Sequence, residues 1–252
     1  PIAGLLLLIG PFFGAGTPDL VALLYPLLLV PLLALVAYLL VREVVSGVHP
    51  VIGAAVPFLS VVILAEFSPG RVDHHNLQIL LTAALAAATI AGRRSLAAAV
   101  SAGVFAALSV AVGAETFHLV ALSIAVFGLY WVFEPGAQRR VAGFALGLLG
   151  GGGVLFVALV PPPAYLARAC DAFSFSYLVA VGAAAAALLL APALTLLNRT
   201  RLGRFGALAL LGLLAVVVTL LVSPECLRGA YASVDPGLLA SYLATVPDSW
   251  NA

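Results

Sequence analysis

The chain has 252 residues, of which 64% are hydrophobic and 8% charged. A soluble domain carries about 45–50% apolar and about 25% charged residues, so a soluble fold could not hide this much apolar surface; a bilayer removes the problem. The net charge of +1, without a clustered basic face, argues against a nucleic-acid partner. Every basic residue is Arg, and Met is absent. The opening Pro1 therefore reads as the start of a fragment, and with no basic region ahead of the first apolar run it does not read as a signal peptide.

A spanning helix needs about 20 mostly apolar residues. In chain order, the segments 18–41, 48–66, 76–92, 95–113, 116–133, 141–161, 176–197 and 205–223 meet that requirement approximately. The expected fold class is all-α: a polytopic transmembrane bundle of about eight spanning helices. The shorter run 1–13 is either the stump of a cut helix or an interfacial helix, the second being preferred because the topology supports it, and 1–223 is read as one transmembrane domain of a larger whole. Residues 224–252 are read as an ordered segment on the outer face.

Short loops rich in Arg stay on the cytoplasmic side. Arg42, the pair Arg93-Arg94, the pair Arg139-Arg140 and the group Arg199, Arg201 and Arg204 all fall on one side of an eight-helix alternation. The other side receives 66–75, 113–115, 162–175 and the tail from 224, with only Arg71, Arg168 and Arg228. Most acidic and imidazole side chains, and both cysteines, collect there. The expected location is a multi-pass protein of a bacterial inner membrane, its site facing the periplasm.

The densest polar stretch runs from Phe67 to Gln78. Polar density of this kind at a membrane boundary is costly. Pro69-Gly70 makes a turn, and Asp73 stands where the next helix begins. Asp73 as a plain helix cap is one reading. Two imidazoles and an amide in succession are not explained by a cap. Carboxylate beside imidazole suits a divalent cation, with Asp73 and His75 as the pair and His74 or Asn76 supporting them. Further carboxylates come from the loops: Glu115, Asp171 and Asp248. Glu115 also reads as a plain loop residue. His118 lies one helical turn beyond it, but as a lone histidine reads more simply as a packed interfacial residue.

The loop 161–175 holds Tyr165, Arg168, Cys170, Asp171, Phe173 and Phe175. It reads either as an aromatic belt or as a docking surface for a lipid phosphate, with Arg168 as the anion partner. Cys170 and Cys226 sit in adjacent segments of the oxidising side, where pairing is permitted but sequence supplies no distance. The Ala-rich stretches 83–88 and 183–187, and Gly150 to Gly153, suit close helix packing.

This pattern resembles the GT-C superfamily of membrane glycosyltransferases, most closely the catalytic subunit of oligosaccharyltransferase. There, a short outer loop of the form Arg-Ser-x-Ala-Gly-x-Asp-x-(Glu/Asp) opens a helix; here it reads Phe67-Ser68-Pro69-Gly70-Arg71-Val72-Asp73-His74-His75. The family's next turn, Ser-(Ala/Ser)-Trp-Gly-Gly-Tyr, corresponds to Ser109 through Thr116. Order, side and spacing agree over residues 20–135, and beyond that only the hydropathy profile does. The resemblance implies transfer of a sugar or oligosaccharide from a polyprenyl-phosphate carrier, on the outer face, with a divalent cation (Mg or Mn). It implies metal ligands Asp73 and His75 (imidazole where the family has a second carboxylate), with Asp248 as the counterpart of the family's later acidic ligand; Glu115 is the further candidate that the loops themselves supply. It implies substrate contacts from Arg71, His74, Asn76 and Arg168. The family's main catalytic Asp lies in a first outer loop, which would precede Pro1. The alternative is a transporter or channel with an ion or proton site at Asp73, His74, His75 and Glu115, or a non-catalytic scaffold. A transporter places ionisable groups near the bilayer midplane, whereas this chain keeps its helix centres apolar.

Overall fold

The computed structural model describes residues 11–12, 16–194, 200–229, 231–232, 234–235, 237–238 and 241, and all their regular structure is helical. The expected interfacial helix over 1–13 lies outside the described residues except for Pro11 and Phe12, as do Arg199, Asp248 and much of the segment 224–252. The α-helices are α1 Thr17–Val44, α2 Val51–Ala55, α3 Val61–Glu66, α4 His75–Gly92, α5 Leu96–Val112, α6 Phe117–Phe133, α7 Gln138–Leu159, α8 Phe175–Leu190 and α9 Arg201–Val222.

Six spans, α1, α4, α7, α9, α6 with the 3₁₀ turn before it (Ala114–Phe133) and α8 with the 3₁₀ turn after it (Phe175–Ala193), are long and apolar enough to cross a membrane, as in a multi-pass membrane protein. The count of eight is not reached on these terms. Helix α5 has 17 residues, about 26 Å at 1.5 Å per residue. The expected continuous helix over 48–66 is instead three pieces: α2, a 3₁₀ turn over Val56–Leu59, and α3. The break has a local cause. Pro57 has no N–H to give an α-helical bond, and the Ser60 hydroxyl accepts from the Ile63 N–H, starting a fresh helix.

The broken segment still retraces α1. Gly53 lies so close to Val41 that a Cβ there would stand 2.6 Å from the valine Cγ2, and the Gly70 N–H bonds the Ala22 carbonyl at 3.0 Å. Residues 22 and 41 of α1 are about 28 Å apart along its axis.

Lipid is as apolar as leucine, so helices associate here through close packing rather than hydrophobic transfer. The tightest pair is α5 against α7. Gly143, Gly147 and Gly151 line one face of α7 at intervals of four. A Cβ on Gly147 would fall 2.4 Å from the Val100 carbonyl oxygen, and one on Gly103 would fall 2.2 Å from that of Phe144. The expected Gly150–Gly153 run only partly serves: Gly150 and Gly153 face open space. Between α6 and α7, Phe127 stacks on Phe144 with centroids 4.2 Å apart. A second apolar cluster seats Val21, Tyr25, Leu29 and Leu33 of α1 against Phe67 and Leu80.

These contacts set a first prediction. Gly147→Leu should destabilise the bundle by about 1–3 kcal/mol, because backbone rather than a movable side chain blocks the new atoms. Gly150→Leu should change stability by less than about 0.5 kcal/mol. Thermal unfolding of both variants in one detergent compares them directly; equal losses would refute the α5–α7 contact.

The two ends of the bundle differ in charge. At one end Glu43 pairs with Arg42 (3.5 Å) and Arg94 (3.6 Å), and Glu134 with Arg93 (2.6 Å) and Arg140 (3.5 Å). Arg204, nearly buried in the first turn of α9, donates to the Trp131 carbonyl near the C-terminus of α6, where a cation is favoured. At the other end stand Glu66, Asp73, Glu115 and Asp171. There the disulfide Cys170–Cys226, left open by the sequence, is formed, with Cα atoms 5.3 Å apart. The buried Ser223 hydroxyl bonds that of Ser176 beside it.

Candidate functional site

The site grows from one tight turn. The Arg71 N–H bonds the Ser68 carbonyl across Pro69-Gly70, and Gly70 has φ +86°, the left-handed region that a turn with Pro second and Gly third requires. Asn76, fully buried, locks the turn to the helix that follows: its amide donates to the Arg71 carbonyl at 3.1 Å. Asn76 therefore fastens the loop and lines neither cleft described below.

The α4 helix opens with His74 in the cap position, and His74 makes no side-chain cap bond. Asp73 stands one residue earlier. Its Oδ1 accepts from the His74 N–H (2.6 Å) and lies 2.8 Å from His74 Nδ1, while Oδ2 lies 3.9 Å from His75 Nε2. Burial alone would raise the Asp73 carboxyl; the His75 and His74 rings and the two backbone N–H groups outweigh it and hold it below the ordinary carboxylate value. The plain-cap reading is corrected: the cap position belongs to His74, and Asp73, one residue ahead of it, bonds the His74 N–H. Its carboxylate and both imidazoles each offer a ligand atom within 4.8 Å of one another, close enough to converge on one cation.

Glu115 joins this group across 37 positions of sequence. Gln78, buried one turn into α4, accepts from the His75 Nδ1–H with its Oε1 (3.0 Å), and its amide donates to Glu115 Oε2. His74 Nε2 stands 3.7 Å from the same carboxylate oxygen. A Cβ on Gly113 would fall 1.9 Å from the Gln78 amide nitrogen, so the absence of a side chain here is what lets Gln78 lie against Glu115; the φ of −173° is ordinary extended backbone. Gly113→Ala is expected to push Gln78 off Glu115 and free that carboxylate. Lost protection of the His75 ring proton in an NMR spectrum reads the change, and an unaltered spectrum would refute it.

Two clefts meet at this cluster. The first, about 630 Å³, is a groove with Glu66, Arg71, Asp73 and His75 at its mouth. Its floor continues along one face of α4 through Gln78, Ile79, Thr82, Ala83 and Ala86, about 16 Å from His75. At the mouth Arg71 is engaged, its Nε 2.9 Å from Glu66 Oε2 and its Nη2 4.0 Å from Asp73 Oδ2. The second, a chamber of about 1160 Å³, lies on the His74 and Glu115 side. It is walled by Gly113, Phe117, Asp171, Tyr177, the disulfide and, beyond α9, Tyr231, Val234, Leu238 and Ser241.

The structure thus brings Asp73, His74, His75, Glu115 and Arg71 together. Arg168 stands exposed on the loop 161–174 and lines neither cleft, Asp248 is outside the described residues, and His118 is exposed and apart from the cluster. Sequence reasoning gave no role to Gln78 or to Glu66. The signal for Gln78 was a polar side chain three residues past His75 in an otherwise apolar helix.

Comparison of the chain with protein-family models, with curated proteins and with solved structures returns no match.

Proposed function

We propose that this chain is a membrane glycosyltransferase of the GT-C kind, moving a sugar or oligosaccharide from a polyprenyl-phosphate carrier to an acceptor on the outer face. The observation that carries the reading is the groove. It joins a charged mouth to an apolar floor on a helix long enough to span the bilayer. That shape suits an amphiphile with a phosphate head and a long hydrocarbon tail, as a polyprenyl phosphate is.

In the reaction, the bond from the sugar to the phosphate oxygen breaks, and the phosphate leaves with the electron pair. The acceptor atom bonds the sugar carbon and releases its proton to a base. Asp73 and His75, with His74 and Glu115 adjacent, would hold a divalent cation, Mg or Mn, which supplies positive charge to the departing phosphate oxygen. Arg71 exchanges Glu66 for that phosphate as the head enters, a charge-assisted contact with fork geometry. Gln78 keeps His75 and Glu115 in place. The transporter alternative draws less support, since the ionisable groups of the described residues sit at helix ends rather than at the midplane.

A photoreactive short-chain polyprenyl phosphate tests the reading on purified protein. Expected is a cross-link to the Ile79–Ala86 face of α4, cut about tenfold in Arg71→Ala. Cross-linking elsewhere, or none, would overturn the reading. The sidedness has its own test. In a chain whose native cysteines are paired, a single cysteine at Val72 should react with an impermeant maleimide from outside, and one at Gly136 should not. The reverse would place the site on the inner face.

A further inference from the structure

The chamber is chemically unlike the groove. The groove has Arg71 at its mouth; the chamber lining holds the Glu115 and Asp171 carboxylates with the His74 ring and, among the described residues, no arginine. Arg168 and Arg228 sit on the two segments that the disulfide joins, yet both are exposed and neither lines the chamber. The remaining walls are aromatic and aliphatic. Phe117 and Tyr177 meet edge to face at 5.9 Å, and the Tyr177 hydroxyl is spent on the Cys170 carbonyl at 2.6 Å, which leaves the ring as wall. Tyr231 supplies a third ring.

Carboxylates beside aromatic rings, with no arginine among the described lining residues, repel an anionic ligand and attract a cationic one. The volume is that of a molecule rather than of a bare ion. A hard metal ion draws on oxygen ligands from several sides, whereas an ammonium group gains from ring faces as well as from carboxylates.

We propose that the chamber binds an ammonium-bearing group, held between the rings of Phe117, Tyr177 and Tyr231 and the carboxylates of Asp171 and Glu115. As the acceptor side of the transfer reaction the assignment rests on the transferase reading; as a binding site it does not. The two clefts then sort their ligands by charge, the phosphate to the Arg71 side and the cation to the Asp171 side.

The test uses the full chain, oxidised, in a maltoside detergent that carries no ammonium group. Choline is the probe, and 3,3-dimethylbutan-1-ol is its uncharged isostere of the same shape. Ligand-observed NMR should show saturable choline binding, with the isostere about tenfold weaker. Asp171→Asn, an exposed loop substitution outside the Asp73 cluster, should weaken choline about three- to tenfold and leave the isostere unchanged. Equal binding of choline and isostere, full choline affinity in Asp171→Asn, or no saturable choline binding in the oxidised protein would each overturn the proposal. Failure here with intact cross-linking of the polyprenyl phosphate leaves the transferase reading standing; loss of cross-linking with choline binding intact removes the transferase reading alone.

Discussion

Asp73→Asn is expected to weaken divalent-cation binding by at least about 100-fold and to leave the bundle folded. The magnitude follows from what the substitution removes. Exchange of a group that merely orients a metal ligand costs about 10- to 100-fold in affinity, so loss of the carboxylate itself should cost no less. The fold should survive because an Asn Oδ1 can still accept from the His74 N–H, and because the loop is fastened independently by Asn76 on the Arg71 carbonyl and by Gly70 on that of Ala22. His75→Ala should have a similar effect on affinity, since it removes a second donor and also the partner of Gln78. With two imidazoles beside one carboxylate, the set favours Mn over Mg. Titration of the purified protein with Mn²⁺, followed by electron paramagnetic resonance, reads the free ion directly. Mn²⁺ affinity unchanged in both variants would leave Asp73 as a turn residue that organises His74 and nothing more.

Much of the architecture was legible because it depends on local chemistry. Apolar length located the helices, and several boundaries fell where proline, glycine or a hydroxyl cap stands. Ser95 starts α5 by accepting from the Ala98 N–H, and Thr200 starts α9 by accepting from that of Gly203. Pro57 was equally visible, but a window of mean hydropathy does not register that one missing N–H divides an apolar run. The prolines Pro26 and Pro31 lie inside α1 without ending it. Neighbouring groups in a membrane bundle re-satisfy the backbone that proline frees, so proline alone does not decide.

The site was legible as a list and illegible as an arrangement. Asp73, His74 and His75 are adjacent in sequence, so their grouping needed only a turn. Glu115 comes to them through packing of α4 beside α5 and α6, and that in turn needs Gly113 to clear the Gln78 amide. No pattern in the sequence of α4 indicates which of its polar residues faces a loop 37 positions away. The chamber was further out of reach, since its walls come from His74, 112–117, 170–177 and the region after α9.

Replacing Cys170 and Cys226 with serine is expected to lower the unfolding temperature by about 5–15 °C and to open the chamber. The bond closes a loop of 56 residues, for which chain entropy gives about 4 kcal/mol; about 2–4 kcal/mol is expected because membrane helices keep order when the tertiary fold is lost. The location of the effect is more specific than its size. Both sulfurs line the chamber, and the cross-link holds the 3₁₀ turn Pro224–Arg228 against the loop that carries Asp171. Beside it, the Ser223–Ser176 hydroxyl bond ties the end of α9 to the start of α8. Amide exchange over 224–229 should therefore accelerate, while exchange in the α5–α7 pair, closed by glycine contacts at the bundle centre, should stay as it was. The same redistribution should follow reduction of the native protein. Unchanged exchange over 224–229 in both the double-serine variant and the reduced chain would show that packing, and not the disulfide, holds the chamber closed.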